Sequence, residues 1–308
     1  MLIELFTLLS LSYFGYRFYQ IFYLGNNNIT KFSDRNFIID RHGKIAYKIT
    51  QNENNTKLLF CFHGITVNAD YFDKIIENLP EGYDIVSYDI YGHGWSSSIN
   101  KQLTLDRLSE QGLFVLSHVC SHKKYDSVTL LGCSLGAMIL NNMKLSYNIL
   151  LNRTRFNDSD HFSSLIENSK NILIAPAGIK MNLPNVINLI NIWGLGEVIL
   201  VLFGRDIMRD FCISNFNDVN NIELNSLLFL DSHPGFLRSI FSIIRNIQKC
   251  NYDYTNLSNV DVIVSRSDNL TMINTQNFSS DANIISQENL GHSEILTNSI
   301  DTIQGLLN

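Results

Sequence analysis

GCSLG at residues 132–136 decides the fold of this chain. The pentapeptide stands between a short apolar run, residues 127–131, and a segment with helical spacing, residues 137–151. Glycine two positions before and after a serine allows the backbone to turn sharply from a strand into a helix. Such a turn lifts the Ser134 hydroxyl out of the sheet and places it at the N-terminus of the helix, where the following amide can stabilise an oxyanion. We therefore predict Ser134 as a nucleophile and look for its partners.

The composition is that of a large globular protein. Of 308 residues, 45% are hydrophobic and 17% are charged, and the net charge is −6. One large domain, or one domain with an insertion, can therefore bury an extensive core. The chain lacks the basic stripe of nucleic-acid-binding proteins, so no nucleic-acid partner is predicted. Its 5 cysteines are scattered and predict neither a disulfide framework nor a structural zinc site.

The N-terminal segment, residues 1–24, differs in kind from the rest. It is almost entirely apolar and aromatic, interrupted chiefly by Glu4, Arg17 and Gln20. A cleaved signal peptide fits poorly, because no basic residue precedes the apolar stretch and no small-x-small site follows it. Its length suffices to span a bilayer, but the deep Arg17 and the frequent tyrosines favour an interfacial helix or a signal anchor. We expect a membrane-associated protein, otherwise a cytoplasmic one whose N-terminal helix packs on the protein or on a second copy.

Strands and helices alternate along most of the remaining chain. Strand-like runs occupy residues 36–40, 44–50, 57–62, 83–88, 127–131, 170–175, 260–265 and 282–286. Helical spacing is found at residues 68–79, 103–120, 137–151 and 293–307. This alternation predicts an α/β protein with a mostly parallel sheet and helices on both faces.

One long stretch, residues 178–250, breaks the alternation with apolar helical segments such as residues 186–190, 198–203 and 236–247. Its position between two sheet strands marks it as an insertion over the carboxyl edge of the sheet, where open α/β sheets bind ligands. We predict a helical cap, with ordinary sheet-packing helices as the alternative.

A serine nucleophile needs a histidine that accepts its proton. The chain has 8 histidines. His292 follows the last predicted strand, at the start of the closing helix, so it emerges at the same edge of the sheet as Ser134. We predict His292 as the base, whereas His63 and His93 are interpreted as turn-stabilising residues.

The acid that orients the histidine should also follow a strand at its carboxyl end. Asp268 lies just beyond the penultimate predicted strand and is the candidate that we prefer. Asp261 begins the same strand, at the wrong end of the sheet, while Asp231 and Asp253 fall within or beside the predicted cap.

With these residues the chain resembles the α/β-hydrolase superfamily, whose members carry nucleophile, acid and histidine in this chain order. FHGI at residues 62–65 is similar to the superfamily's His-Gly turn after the third strand. DIYGHGWS at residues 89–96 is similar to its Asp-x-x-Gly-x-Gly-x-Ser turn after the fourth, which is structural. The resemblance implies an oxyanion hole formed by the backbone amides of Ile65 and Leu135. Where relatives usually carry glycine before the acid, this chain has SRS at residues 265–267.

The predicted architecture is an α/β-hydrolase core, residues 30–177 and 251–308, a cap at residues 178–250 and an apolar helix at residues 1–24. The predicted activity is hydrolysis of a carboxylic ester through an acyl-enzyme on Ser134. A lipid or monoacylglycerol-like ester is the expected substrate.

Several alternatives remain open. Within the same fold, the substrate could be a thioester, a peptide with a free amine or a carbon–carbon bond. A non-catalytic ligand-binding or signalling member of the fold is the alternative from a different class. Neither a cofactor nor a metal is predicted, because His118 and His122 have the spacing of a metal pair but no third ligand near them.

Overall fold

A computed structural model describes residues 2–23, 35–78, 80–154, 160–178, 189, 191–215, 233–247, 252–271 and 275–308. Asp231, most of the apolar segment at residues 186–190 and the predicted boundary at residues 24–30 lie outside these ranges. The prediction of a cap over the whole of residues 178–250 therefore stays a prediction.

An 8-stranded sheet forms the centre of the molecule, with strand order β1-β2-β4-β3-β5-β6-β7-β8. In chain order the strands are β1 Asn36–Ile39, β2 Lys44–Thr50, β3 Lys57–Phe62, β4 Tyr83–Tyr88, β5 Ser127–Cys133, β6 Lys170–Ile174, β7 Val260–Ser265 and β8 Asn283–Gln287. Strand β2 pairs antiparallel with β1 and β4, and every other neighbouring pair is parallel. The central strands are buried almost throughout, as expected when helices cover both faces. The predicted mostly parallel sheet is confirmed.

Helices cover both faces of this sheet. In chain order, the described helices of the molecule, including those that pack on other helices, are α1 Leu2–Phe22, α2 Asp73–Ile76, α3 Leu105–His122, α4 Leu135–Leu145, α5 Tyr147–Thr154, α6 Asp160–Glu167, α7 Leu195–Asn215, α8 Pro234–Ile247, α9 Glu294–Asn298 and α10 Ile300–Leu307. One apolar cluster joins the sheet to α3 and α4, and a second joins its opposite face to α2, α9 and α10.

The closing helix, predicted as one segment, is two helices that meet at Ser299. The Ser299 hydroxyl donates a hydrogen bond to the carbonyl oxygen of Ile295. Such bonds from serine to the preceding turn compete with helical hydrogen bonds and bend or interrupt a helix. The segment at residues 137–151 is likewise divided, at Ser146, into α4 and α5.

A third apolar cluster joins α1, α7 and α8. Its members include Ile21 of α1, Met208 of α7 and Ile240 of α8, each at most 8% exposed. Arg238 of α8 adds hydrogen bonds beside this cluster. Its guanidinium donates to the carbonyl oxygens of Phe22 and, at 3.0 Å, of Ile99. The N-terminal helix is therefore docked onto α7 and α8 by its C-terminal half. Among the helices of the described ranges, none is long and apolar enough to cross a membrane.

Candidate active site

Ser134 occupies the sharp turn between β5 and α4. Its backbone has φ 53° and ψ −115°, a combination that L-residues adopt only under strain. The Ser134 amide donates to the carbonyl oxygen of Ile174 at 2.9 Å, and its own carbonyl accepts from the amides of Ala137 and Ala177 at 3.1 and 3.2 Å. Strand β6 and the loop after it therefore hold the serine in the strained conformation.

The two glycines of the pentapeptide are required by close packing. A Cβ atom on Gly136 would collide with the carbonyl oxygen of Phe62 in β3. A Cβ atom on Gly132 would lie 2.7 Å from the backbone nitrogen of Ala137. Helix α4 can therefore start directly against β3 and β5 only because both positions lack a side chain.

The structure brings the three predicted side chains together at the carboxyl edge of the sheet. His292 Nε2 lies 3.0 Å from Ser134 Oγ, and His292 Nδ1 lies 2.7 Å from Asp268 Oδ2. The side chain of Asp268 is 1% exposed and that of His292 is 14% exposed. These are the distances at which a histidine can accept a serine proton while a carboxylate orients its ring.

Asp268 is held as a carboxylate by several donors. Its Oδ1 accepts from the amides of Leu270 and Thr271 at 2.8 and 3.1 Å, and its Oδ2 accepts from the Thr271 hydroxyl at 2.5 Å. Burial raises the pKa of Asp268, but the hydrogen bond and charge of His292, together with the Thr271 bonds, hold that pKa below its ordinary value. An ionised Asp268 accepts a hydrogen bond from the Nδ1–H of His292, which leaves the lone pair of Nε2 facing Ser134.

Thr271 and Ser265 hold the loops of Asp268 and His292, a role that was not predicted for either residue from the sequence. Thr271 stands three residues after Asp268, a spacing at which a short polar side chain can bond back within a turn. Ser265 Oγ accepts from the amides of Ser267 at 3.2 Å and Leu290 at 3.3 Å. Because Leu290 precedes His292 by two residues, Ser265 ties the acid loop to the histidine loop where relatives usually carry glycine.

The amides of Ile65 and Leu135 border the space in front of Ser134. Within the described residues, neither amide donates a backbone hydrogen bond. Leu135 opens α4, so its amide is one of the helix donors that have no partner within the helix, and the helix dipole adds to its positive potential. Both groups are thus available to an oxygen that gains negative charge at the reacting carbon.

His63 and His93 use their rings to brace the loop that carries Ile65. His63 Nδ1 donates to the Gly64 carbonyl at 2.7 Å, and its Nε2 accepts from the Ile90 amide at 2.9 Å. His93 Nε2 donates to the Ile65 carbonyl at 2.5 Å. Burial lowers the pKa of His63 to about 3 and that of His93 to about 4, so both rings are neutral at physiological pH.

Asp89 holds the predicted turn at residues 89–96 through hydrogen bonds. Its carboxylate accepts from the amides of Ala69 and Trp95, each at 2.8 Å, and its backbone carbonyl accepts from the Ser96 hydroxyl at 2.6 Å. Burial raises the pKa of Asp89 to about 6. The residues of this turn serve to position the loops around Ser134.

Asp261 and Asp253, the two other candidate acids within the described residues, have other partners. Asp261 is bonded to Lys170 at 3.1 Å and Asn283 at 2.7 Å, at the start of β7. Asp253 accepts from the amide and hydroxyl of Thr255. In the part of the chain that the structure describes, no three His, Cys, Asp or Glu side chains are grouped to hold a metal ion.

Comparison with known proteins supports the fold. Residues 57–176 match the sequence model of the alpha/beta hydrolase fold family. The esterase of Exiguobacterium antarcticum superposes with a TM-score of 0.61 over 88% of this chain and 97% of its own, at 16% sequence identity. A structural similarity at 16% sequence identity is evidence for the fold and not for a shared activity. The chain has the α/β-hydrolase fold, and the predicted resemblance to that superfamily is confirmed.

Two curated relatives share shorter segments. The serine hydrolase-like protein of Mus musculus is 33% identical over 97 residues, which cover 32% of this chain and 30% of the relative. Protein phosphatase methylesterase 1 of Candida albicans is 30% identical over 118 residues, which cover 36% of this chain and 32% of the relative. The matched part of the chain thus spans about a third of the length of each relative.

Proposed function

We propose that the protein is a serine hydrolase that cleaves a carboxylic ester through an acyl-enzyme on Ser134. The observation that carries the proposal is the chain of contacts from Ser134 Oγ through His292 to Asp268, at 3.0 and 2.7 Å. His292 accepts the serine proton during attack on the ester carbonyl and returns it to the departing alcohol. A water molecule, activated by the same ring, then releases the acid.

The amides of Ile65 and Leu135 stabilise the oxygen of the tetrahedral intermediate, each by roughly 3 kcal/mol of barrier. Donors in this place favour acyl transfer over a purely ligand-binding role, because a receptor needs neither an oriented base nor an oxyanion hole. The name of the methylesterase relative described above supports an ester as the substrate.

The apolar surroundings of Ser134 argue against charged substrates. The cavity between Ser134 and the helices α7 and α8 is lined mostly by apolar side chains, with hydroxyl groups as its few polar members. An ammonium group placed there would lose its hydration without gaining a partner. This disfavours peptides with a free amine and leaves uncharged esters, with thioesters as the nearest alternative within the same mechanism.

The proposed function is tested by labelling and turnover on the folded protein. We expect a fluorophosphonate probe to label Ser134, identified by peptide mass spectrometry, and we expect the wild type to hydrolyse short alkyl esters. Heat-denatured protein is the control and should remain unlabelled, because the base no longer faces the serine. Folded protein that neither reacts with the probe nor hydrolyses an ester would show that the proposal is wrong.

We also propose that α1 holds the enzyme at a lipid surface. Between residues 4 and 13 every residue of the helix is exposed. Its large apolar residues there are each more than half exposed: Leu5, Phe6, Leu8, Leu9 and Leu11. Because successive residues are about 100° apart around a helix, these five side chains spread over roughly 220° of its circumference, and a helix with so wide an apolar surface is expected to be surrounded largely by apolar material.

The length and the tyrosines of α1 fit insertion into one leaflet. About ten residues at 1.5 Å rise span roughly 15 Å, half of the hydrocarbon core of a bilayer. Nearer the body of the protein, Tyr13, Tyr16, Tyr19 and Tyr23 are exposed. Tyrosine favours the headgroup level. A second copy of the chain would cover one side of such a helix, whereas lipid covers all sides.

Sedimentation with neutral phosphatidylcholine vesicles tests this second proposal. We expect the wild type to bind and the double variant Phe6→Asp, Leu9→Asp to bind at least tenfold more weakly, because each buried apolar side chain contributes about 1.5–3 kcal/mol. Leu145→Asp with Ile149→Asp is the matched control, since both residues are exposed apolar positions away from α1. Equal binding by both variants, or self-association of the wild type without vesicle binding, would contradict it.

A further inference from the structure

Two spaces border Ser134 and share part of their lining. The first, here called the cap cavity, lies beneath Met208 and Phe211 of α7 and Ile240 and Ile244 of α8. It holds about 660 Å³ of empty space, a volume that includes open solvent. The second, here called the histidine cavity, measures about 430 Å³ on the same basis. It is bounded by Val67, Tyr71, Cys133, His292 and Ser293.

We infer that the substrate is an ester of an apolar acyl chain with a small alcohol, the acyl chain lying in the cap cavity and the alcohol in the histidine cavity. This inference rests on the proposed function. It adds to that function how the ester is oriented in the site and which part of the substrate, the acyl chain, determines specificity.

The orientation follows from the proton that the leaving oxygen must receive. When the tetrahedral intermediate collapses, the bond from the carbonyl carbon to the alcohol oxygen breaks, and that oxygen takes the proton from His292 Nε2. The alcohol must therefore leave on the side of the imidazole. His292 borders the histidine cavity and not the cap cavity, while Leu135, whose amide faces the oxyanion, borders only the cap cavity. The acyl group, which lies away from the imidazole, is directed into the cap cavity.

The lining of the cap cavity selects an uncharged apolar chain. No charged side chain of the described residues borders it, and its polar members are the hydroxyls of Thr66, Ser134 and Thr271. The Thr271 hydroxyl donates to Asp268, and the Ser134 hydroxyl is the attacking group. A carboxylate or ammonium on the acyl chain would lose hydration there, whereas each methylene removed from water increases kcat/KM by about fourfold.

The histidine cavity is the smaller of the two spaces, about 430 against 660 Å³, and buried side chains form part of its wall, so we expect the alcohol to be the smaller part of the ester. Val67, Tyr71 and Cys133 are each at most 7% exposed. The Tyr71 hydroxyl donates to the Ser293 carbonyl at 3.3 Å, which fixes the ring against the loop of His292. Burial raises the pKa of Cys133 to about 12, so its thiol remains neutral and adds to an uncharged wall.

The test is a pair of alkyl ester series assayed by acid release on the full chain. In methyl esters of acetate, butyrate and hexanoate, we expect kcat/KM to rise by about fourfold per added methylene. In methyl, butyl and hexyl acetate, we expect it to stay level or fall. A rise with alcohol length and no rise with acyl length would overturn the inference while leaving the proposed function in place. Absence of turnover with every ester would contradict both.

Two variants test whether the cap cavity causes the dependence of turnover on acyl-chain length. Ile244→Trp narrows that cavity, so we expect at least a tenfold lower ratio of hexanoate to acetate turnover. Leu202→Trp places the same side chain on an exposed position of α7 and is expected to leave the ratio unchanged. Ile240→Phe is a milder change that should lower the ratio in the same direction. A ratio that is unchanged in both cavity variants would overturn the assignment.

Discussion

Replacing Ser134 with alanine is expected to lower kcat for ester hydrolysis by about 10⁵-fold or more. The variant keeps the oxyanion amides and the cavities, and it retains only the roughly 10³-fold acceleration that these supply without a nucleophile. The measurement is kcat for methyl butyrate on separately purified proteins, with the wild-type active sites counted by the fluorophosphonate probe. A variant that retained a hundredth of the wild-type kcat would rule out attack by Ser134.

Ser134→Gly separates the loss of the nucleophile from any loss of fold. Both Ser134→Ala and Ser134→Gly remove the hydroxyl, but only glycine adopts φ 53° without strain. Relief of about 1–3 kcal/mol of strain exceeds the roughly 1 kcal/mol that glycine costs through the unfolded chain. We therefore expect the glycine variant to be inactive yet more stable than the alanine variant, by about 1 kcal/mol in urea unfolding. The opposite order of stability would show that the turn imposes no strain on this residue.

The sheet was the part of the fold that could be predicted most fully. Strand bounds differ from the predicted ones by 2 residues at most, because buried parallel strands are short apolar runs with clear ends. Helix ends were less well predicted, since the breaks at Ser146 and Ser299 depend on how each serine bonds within its own turn. The packing of α1 on α7 and α8 was one of several alternatives, because the sequence of an apolar helix does not indicate which apolar surface it contacts.

The sequence was sufficient to propose the three candidate catalytic residues, which the structure places within hydrogen-bonding distance of one another, but not the residues that hold them. Ser134, Asp268 and His292 each follow a strand, so topology alone places them at one edge of the sheet. Thr271 and Ser265 act through loop hydrogen bonds, which depend on three-dimensional loop geometry rather than on residue spacing. We expect the same in other hydrolases of this fold, because the order of the strands is shared whereas the loops differ from one protein to the next.

The second large effect is expected from Asp268→Asn, which should lower kcat at neutral pH by about 10⁴-fold. The asparagine amide donates a hydrogen bond to Nδ1 of His292, which moves the ring proton to Nε2. A protonated Nε2 faces Ser134 as a donor and cannot accept the serine proton. Thr271→Val is the matched control: it removes one bond to the carboxylate but leaves the tautomer, so its loss should be about tenfold or less.

Acid unfolding gives a readout of the same carboxylate that does not depend on turnover. The pKa of Asp268 is lower in the folded protein than its ordinary value, so the unfolded chain takes up its proton first as the pH falls. The stabilisation from Asp268 is therefore complete above about pH 4, the ordinary aspartate pKa, and is lost as the pH falls through the lower folded pKa. We expect the free energy of unfolding, measured in urea from pH 7 to pH 3, to fall more steeply in the wild type than in Asp268→Asn. Parallel curves, together with a kcat loss no larger than that of Thr271→Val, would mean that Asp268 does not orient His292.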